Sequence, residues 1–521
     1  MEYHLADLFE HAVDNFADRE FLVCDGKRRT YAEMEARANR LAHHLQAAGV
    51  KPGDHVGIYA YNSVEWVEIL WAVFKIRAVW ININFRYVEE ELRYLFDNAD
   101  LVALIHQPQF TDRVAGVFPH LPDLKHVLVI GDEYEDALAA QSPERDFARR
   151  SPDDHYILYT GGTTGMPKGV VWRQEDVFFA LGGGLDLPTG QRVTSPKGMV
   201  ERGLANGPIT MLPIAPLMHG ATQWGTMQGA FVGNKIVLVP EFDPANVWTL
   251  VGEEKVNVVM ITGDAMGRPL VEELDNAEYD LSSLIALSST AAVFSPSVKD
   301  QFFERLPNLI ISDAVGSSEG GGNGMTYVSK GNTAMKGGPT INPNEDTAVF
   351  DDDGNRVQPG SGVVGKIARS GSVPIGYYND PEKTAATFVE IEGRRWSIPG
   401  DFAIVEADGT ITLLGRGSVS INSGGEKIFP EEVEAAVKAH PDVWDAVVVG
   451  VPDQRWGQRV AAVVQARDGA SPDLESIQEH CRLSLARYKV PRELHLVTTF
   501  VRSPSGKPDY RWALDIATKE N

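Results

Sequence analysis

The stretch YILYTGGTTGMPKGVVW, Tyr156–Trp172, sets glycines, threonines, a proline and a lysine directly behind an apolar run. A backbone this rich in glycine lets several N–H groups converge on one anion, and threonine hydroxyls and a lysine add donors and charge. A nucleotide phosphate is one reading of such a loop; a mobile surface turn is the other. The ATPase loop GxxxxGK[ST] is not present, because Lys168 follows Met166-Pro167 and precedes Gly169. If a phosphate binds here, it binds in a site of another kind.

Outward from this loop the chain runs to 521 residues, beyond the size at which one core usually stops growing, so two or more units are expected. Hydrophobic residues make up 43% and charged residues 23%, as in globular proteins that bury a core. A formal charge of -24 argues against a nucleic-acid partner and against broad contact with an anionic membrane, so an anionic ligand must meet a local cluster of donors. Cys24 and Cys481 are the two cysteines, with no CxxC pair and no histidine cluster at metal-ligand spacing, which points away from disulfides and zinc and towards a reducing cytoplasm. The opening segment carries acids early and lacks an apolar signal core, and no run reaches the roughly 18 apolar residues of a membrane span. Peripheral membrane contact and homo-oligomerisation stay open.

The fold class expected is α/β. HVGIYA from His55, a helix from about Ser63 to Lys75 with Asn62 and Glu65 as a capping box, and AVWINI form a β-α-β pattern that favours a parallel sheet. Similar runs follow at LVALIH, HVLVIG, VNVVMITG, LIALSST and NLIISDAVG. Ligands of open parallel sheets bind beyond the carboxyl ends of the strands. That makes LIALSSTAA, with Thr290 and Ala291, and LIISDAVGSSEGG, with Asp313, Ala314, Gly316, Ser317 and Ser318, candidate ligand loops; ordinary small-residue turns are the alternative. Between Glu345 and Leu414, short runs separated by DDDGN, QPGSG, NDP and EADGT suggest a β-rich subregion. Beyond it, Pro430 opens a helix, and two strand-like runs, a helix near LESIQEHCRLSL and a last strand LHLVTTF make an α+β unit. The division expected is a large N-terminal domain, residues 1–415, and a small C-terminal one, residues 416–521.

YTGGTTGMPKG resembles the signature YTSGTTGxPKG of adenylate-forming enzymes, which include acyl-CoA synthetases, stand-alone adenylation domains and firefly luciferase. Tyr159, Thr160, Gly162, Thr163, Thr164, Gly165, Pro167, Lys168 and Gly169 match, and Gly161 replaces the serine. Further motifs follow in the family's order. GSSEGG resembles YGxTE at Gly316, Ser318 and Glu319, with Val315 in place of an aromatic; GYYNDPEKT resembles GYxNxPExT. WSIPGDFA resembles WxxTGD at Asp401, GRGSVSINSGGEKIFPEEVE resembles GRxxDxIxxxGExIxPxEIE at Arg416 and Gly425-Glu426, and VRSPSGKPDYR resembles PRTxSGKxxR at Lys507.

This resemblance implies ATP, Mg²⁺ and coenzyme A as co-substrates and cofactor of a carboxylic acid. Thr160, Gly161, Gly162, Thr163, Thr164, Gly165 and Lys168 would hold phosphates; Glu319, with Thr164, would hold the metal; Asp401 would meet the ribose, Asp313 the adenine amino group, and Arg416 would belong to the same nucleotide site. Lys507 would bridge the attacking carboxylate and the α-phosphate. The C-terminal domain is implied to be mobile about a hinge at Ser418, carrying Ser423, Gly424, Gly425 and Glu426 to the coenzyme A side. PLMHGATQW resembles the segment lining the acyl pocket, with His219 and Trp224; Gly320 and Gly321 beside Glu319 would leave volume for a large apolar group. The segment from Leu181 to Gly207 either covers that pocket or is a surface loop. These details look most like actinobacterial-type ligases of fatty acids or steroid side-chain carboxylates. A medium-chain or aryl-acid ligase, an enzyme loading a carrier protein and a non-catalytic binder remain alternatives.

Overall fold

The computed structural model describes the chain apart from residues 161–165, 187–189, 332–338, 417–418, 424–425, 454–455, 503–506 and 520–521, and the side chains at 416, 426 and 427 are also outside the description. The β-α-β expectation is met: strands His55–Tyr59 and Val79–Asn82 lie parallel with helix Val64–Lys75 between them, and Leu101–His106 and His126–Val129 extend the same parallel sheet. The cap differs from the expected one. Ser63 caps the helix, its Oγ accepting from Trp66 N at 3.2 Å. Asn62 is buried and meets its own hydrogen-bond demand elsewhere, donating to Val239 O at 2.9 Å and accepting from Leu217 N at 2.6 Å, while Glu65 takes Lys27 at 2.5 Å. The helix is buried on every side, which explains its nearly continuous apolar sequence.

A second sheet has eight strands, in the order Gly321–Val328, Ile310–Ser317, Ala286–Thr290, Val258–Ile261, Thr210–Pro213, Lys235–Leu238, Glu20–Cys24, Lys27–Thr30. Its interior pairs are parallel and its two edge pairs antiparallel. In register, Ile261 lies beside Ser289 and Thr290 beside Ala314, so the carboxyl ends of three neighbouring strands finish along one rim. The β-rich subregion is antiparallel around strands Gly365–Ser370 and Asp401–Val405. A separate C-terminal domain follows, its sheet built on the long pair Val443–Asp453 and Gly457–Ala466, with helices Pro430–Lys438, Leu474–Cys481 and Tyr510–Thr518. The last helix had no counterpart in the sequence reading; Asp509 caps it, accepting from Arg511 N and Trp512 N. The Leu181–Gly207 segment contains helix Gly198–Asn206, whose Met199 and Val200 are in the core, so this part is packed structure rather than a surface loop.

Both cysteines are free and buried, and burial pushes each thiol up to about 12, which leaves them inert. Among the described residues no helix is long and apolar enough to cross a membrane.

Candidate active site

The glycine-rich loop joins two antiparallel strands, His155–Thr160 and Lys168–Arg173, with Thr160 opposite Lys168 at its root. Burial of Tyr156, Ile157, Leu158 and Tyr159 anchors the first strand, and a Cβ at Gly169 would lie 2.8 Å from the Tyr159 ring, so the hairpin closes only with glycine there. Asn82 fixes the root. Its Oδ1 accepts from Tyr159 N at 2.7 Å, and its Nδ2 donates to Tyr159 O at 2.7 Å and Met218 O at 2.8 Å, tying the hairpin to the residue before His219. Sequence reasoning missed Asn82. A polar side chain closing the buried run AVWIN was the available signal, since such a group requires partners. Gly161, Gly162, Thr163, Thr164 and Gly165 lie outside the described residues, so the metal role of Thr164 has no geometry here. Lys168 is ion-paired to Asp380, which also caps helix Pro381–Thr387.

Glu319 occupies the turn between antiparallel strands Ile310–Ser317 and Gly321–Val328, and three elements hold that turn. Trp172 Nε1 donates to Ser318 O at 3.1 Å, Ser397 Oγ donates to Glu319 O at 2.6 Å, and Tyr377 OH donates to Glu319 Oε1 at 3.1 Å. Within the turn, Gly320 N donates to Ser317 Oγ at 2.9 Å. The hairpin, the Glu319 turn and the GYYNDP segment are therefore one construction: strand Gly376–Tyr377 pairs with Lys168–Arg173, bringing Tyr377 to Glu319 and Asp380 to Lys168.

At the sheet rim, Ala291 after Thr290 takes a left-handed backbone, φ 67°, uncommon for a residue with a Cβ. Asp313 and Ala314 lie on the neighbouring strand. The Asp313 carboxylate is ion-paired to buried Lys299, and burial raises its pKa despite that partner. Asp401 is the cross-strand partner of Arg416.

The acyl-side expectation needs correcting at one point, Gly321. Gly321, at φ 73°, leaves no empty volume, because a Cβ there would lie 2.7 Å from the Ala180 Cβ; glycine allows helix Gln174–Leu181 to approach. The nearest atom to a Cβ at Gly320 is Ser317 Oγ at 3.2 Å. Gly316 is likewise a close-approach residue, with Gly321 O at 2.6 Å from its would-be Cβ. Trp224 is a core residue, its indole edge-on to Tyr156 at 5.1 Å. His219, by contrast, is half-buried at the start of helix Gly220–Phe231, its Nε2 shielded from solvent and lacking a hydrogen-bond partner among the described residues. Burial first, then the positive charges of Lys507 and Arg86, push its pKa down to about 3, so the imidazole is neutral.

Lys507, an exposed residue of the C-terminal domain, sits beside the point where that domain meets the N-terminal one, the Arg502 carbonyl accepting from Arg86 Nη1 at 3.3 Å. Lys507 precedes Pro508, which forms a β-bridge with Arg502. Ser423 is buried, in register with Glu426 and Gly457; Gly424, Gly425 and the hinge residue Ser418 lie outside the described residues, as do the side chains of Arg416 and Glu426. Among the described residues no group of three or more His, Cys, Asp or Glu side chains forms a metal cage. A lone Glu319 suits Mg²⁺ carried with nucleotide phosphates, since that ion keeps several waters and needs one or two protein carboxylates.

Residues 9–378 match the AMP-binding enzyme family and residues 432–507 the AMP-binding enzyme C-terminal domain, and the chain belongs to this family. It is 54% identical over 99% of its length to a 3-oxocholest-4-en-26-oate–CoA ligase of Rhodococcus rhodochrous, covering 96% of that protein. It is 52% identical, over 99% of its length and 97% of the relative, to a medium/long-chain-fatty-acid–CoA/3-oxocholest-4-en-26-oate–CoA ligase of Mycolicibacterium smegmatis. In fold it is similar to the anthranilate CoA ligase AuaEII in complex with anthranoyl-AMP, with a TM-score of 0.87 at 24% identity over 100% of this chain and 98% of that one.

Proposed function

We propose that this protein is an ATP-dependent acyl-CoA ligase that activates a hydrophobic acid, a steroid side-chain carboxylate or a medium- to long-chain fatty acid, in the cytoplasm. The observation carrying the reading is Glu319 held by Tyr377 on the phosphate side, with Lys507 next to the Pro508–Arg502 bridge that meets Arg86 of the N-terminal domain. A carboxylate is a poor electrophile. Its attack on the α-phosphate of ATP expels pyrophosphate and forms a mixed anhydride, which the thiol of coenzyme A then opens with release of AMP. In the first step negative charge spreads over phosphate oxygens, so positioned cations and backbone donors do most of the work. Lys507 supplies that charge between carboxylate and α-phosphate, Lys168 leaves Asp380 for the outer phosphates, and Asp401 accepts from the ribose hydroxyls. Glu319, together with the nucleotide phosphates, would hold Mg²⁺, which when bound would supply charge neutralisation to the pyrophosphate leaving group. Neutral His219 lines the acyl side without adding a charge beside an apolar substrate. The kinship with ligases of steroid and fatty acids supports the acid class. We place the domain boundary at residues 415/416, with the hinge at Ser418.

The test is pyrophosphate release across steroid side-chain carboxylates and fatty acids, followed by Lys507→Ala. The variant is expected to lose about 10²- to 10³-fold in acyl-adenylate formation while still making thioester from supplied acyl-adenylate. Equal loss in both half-reactions removes Lys507 from this role, and absence of pyrophosphate with every acid overturns the reading.

A further inference from the structure

The contacts that hold the C-terminal domain in place form a continuous path to Lys507. Helix Asp264–Glu273 stands on the large sheet directly after strand Val258–Ile261. Its Arg268 is buried, with the guanidinium 5.5 Å from the centre of the Trp444 ring and Nη2 without a hydrogen-bond partner among the described residues. Arg467 of the C-terminal domain lies 5.7 Å from the same ring and donates from Nη1 to Glu272 Oε1 at 3.1 Å. One ring thus receives a guanidinium from each domain. Two like charges this close require compensation, which Glu272 gives Arg467 directly and Asp264 and Asp445 give Arg268 through their fields.

Asp445 follows Trp444 and is the next link. Its Oδ2 accepts from Arg502 Nε at 2.9 Å and Nη2 at 2.5 Å, while Lys438 lies 3.3 Å from Oδ1. The Arg502 carbonyl in turn accepts from Arg86 Nη1 of the N-terminal domain at 3.3 Å, and Arg502 forms the β-bridge with Pro508, next to Lys507. Arg86 is also one of the two cations whose field reaches His219.

We infer that Arg268, Glu272 and Arg467 are positioning residues for Lys507: by clamping Trp444 against helix Asp264–Glu273 they fix the Asp445–Arg502 pair, and through it the approach of Lys507 to the acyl side. None of the three lies in a nucleotide motif, and none touches the reacting groups. The half-exposed ion pair and the cation–π contacts are individually modest, so the clamp biases the docked arrangement and leaves it reversible. The kinetic consequence rests on the proposed ligase activity; the contact itself does not.

The experiment compares wild type, Arg467→Glu, Glu272→Arg and the double reversal Glu272→Arg/Arg467→Glu in the two half-reactions, with thermal melts as a folding control. A misplaced catalytic group costs up to about 100-fold. Each single reversal is expected to slow acyl-adenylate formation by roughly tenfold or more on that basis, to leave thioester formation from supplied acyl-adenylate nearly unchanged, and to be rescued in the double reversal. Equal slowing of both half-reactions, or no rescue in a folded double variant, overturns the inference. Independently of catalysis, a Glu272→Cys/Arg467→Cys variant is expected to be joined across the domains by a short bifunctional thiol cross-linker, which spans the reach of the two original side chains, read as a mobility shift. Failure to cross-link refutes the contact, whereas cross-linking in an enzyme that releases no pyrophosphate refutes the ligase reading alone.

Discussion

Replacing Tyr377 with phenylalanine removes one hydroxyl from the site and little else. The ring is buried and packs 5.8 Å from Phe388, so its apolar contacts survive in the variant. The hydroxyl donates to Glu319 Oε1 at 3.1 Å, and a hydrogen bond to a charged acceptor contributes about 1.5 to 3 kcal/mol. Glu319 is only partly buried, so water replaces some of the lost interaction and the lower end applies. A loss of about 1.5 kcal/mol corresponds to roughly tenfold weaker binding of ATP with Mg²⁺, at about 1.4 kcal/mol per factor of ten. The assay is calorimetric titration of ATP with and without Mg²⁺, beside the Mg²⁺ dependence of pyrophosphate release. Tyr377→Phe is expected to weaken binding chiefly in the presence of Mg²⁺ and to leave ATP binding in chelator unchanged. Equal affinity of variant and wild type at every Mg²⁺ concentration refutes the idea that Tyr377 orients Glu319. A matching loss in chelator assigns the hydroxyl to general packing of the turn instead.

Gly321→Ala places a Cβ 2.7 Å from the Ala180 Cβ on a backbone at φ 73° and is expected to destabilise the fold by about 2–4 kcal/mol, seen as a lower thermal midpoint; an unchanged midpoint refutes the close-approach reading. A second expectation concerns acid. Burial alone would raise the pKa of Glu10, but Lys75 and Arg150 outweigh it and lower the carboxyl from 4.5 to about 2. A folded-state pKa below the unfolded one gives stabilisation that is present above about pH 4.5 and lost as pH falls towards 2, worth about 3 kcal/mol. Denaturant titrations of wild type and Glu10→Gln should therefore differ more at pH 6 than at pH 2.5, and a difference independent of pH sinks this assignment.

Much of the fold was legible because its signals are local. Apolar runs of strand length separated by helical periods dictate β-α-β units wherever they occur, and the parallel sheets lie where those runs predicted them. The helix cap was misread because Asn62 and Ser63 are both good caps by type; only the tertiary demand of a buried Asn62, satisfied by residues far along the chain, gives the cap to Ser63. Helix Tyr510–Thr518 has only Asp509 as a local N-cap signal, a residue type that turns favour as well, so the sequence does not separate it from a loop.

The glycines show the same division. By composition Gly321 reads as space, yet it is a contact surface, since a missing side chain looks the same in the sequence whether a ligand or Ala180 takes its place. The family, its motif order and the candidate residues were determined by the sequence alone, because each motif is a short run whose chemistry lies in its own side chains. What only the tertiary structure decided is which of those runs meet: Tyr377 with Glu319, Asp380 with Lys168, Asn82 with the root of the hairpin, and Arg86 with Arg502 across two domains. The physical reason is that a hydrogen bond or a Coulomb interaction depends on distance in space, and the residue numbers of its two partners do not encode that distance.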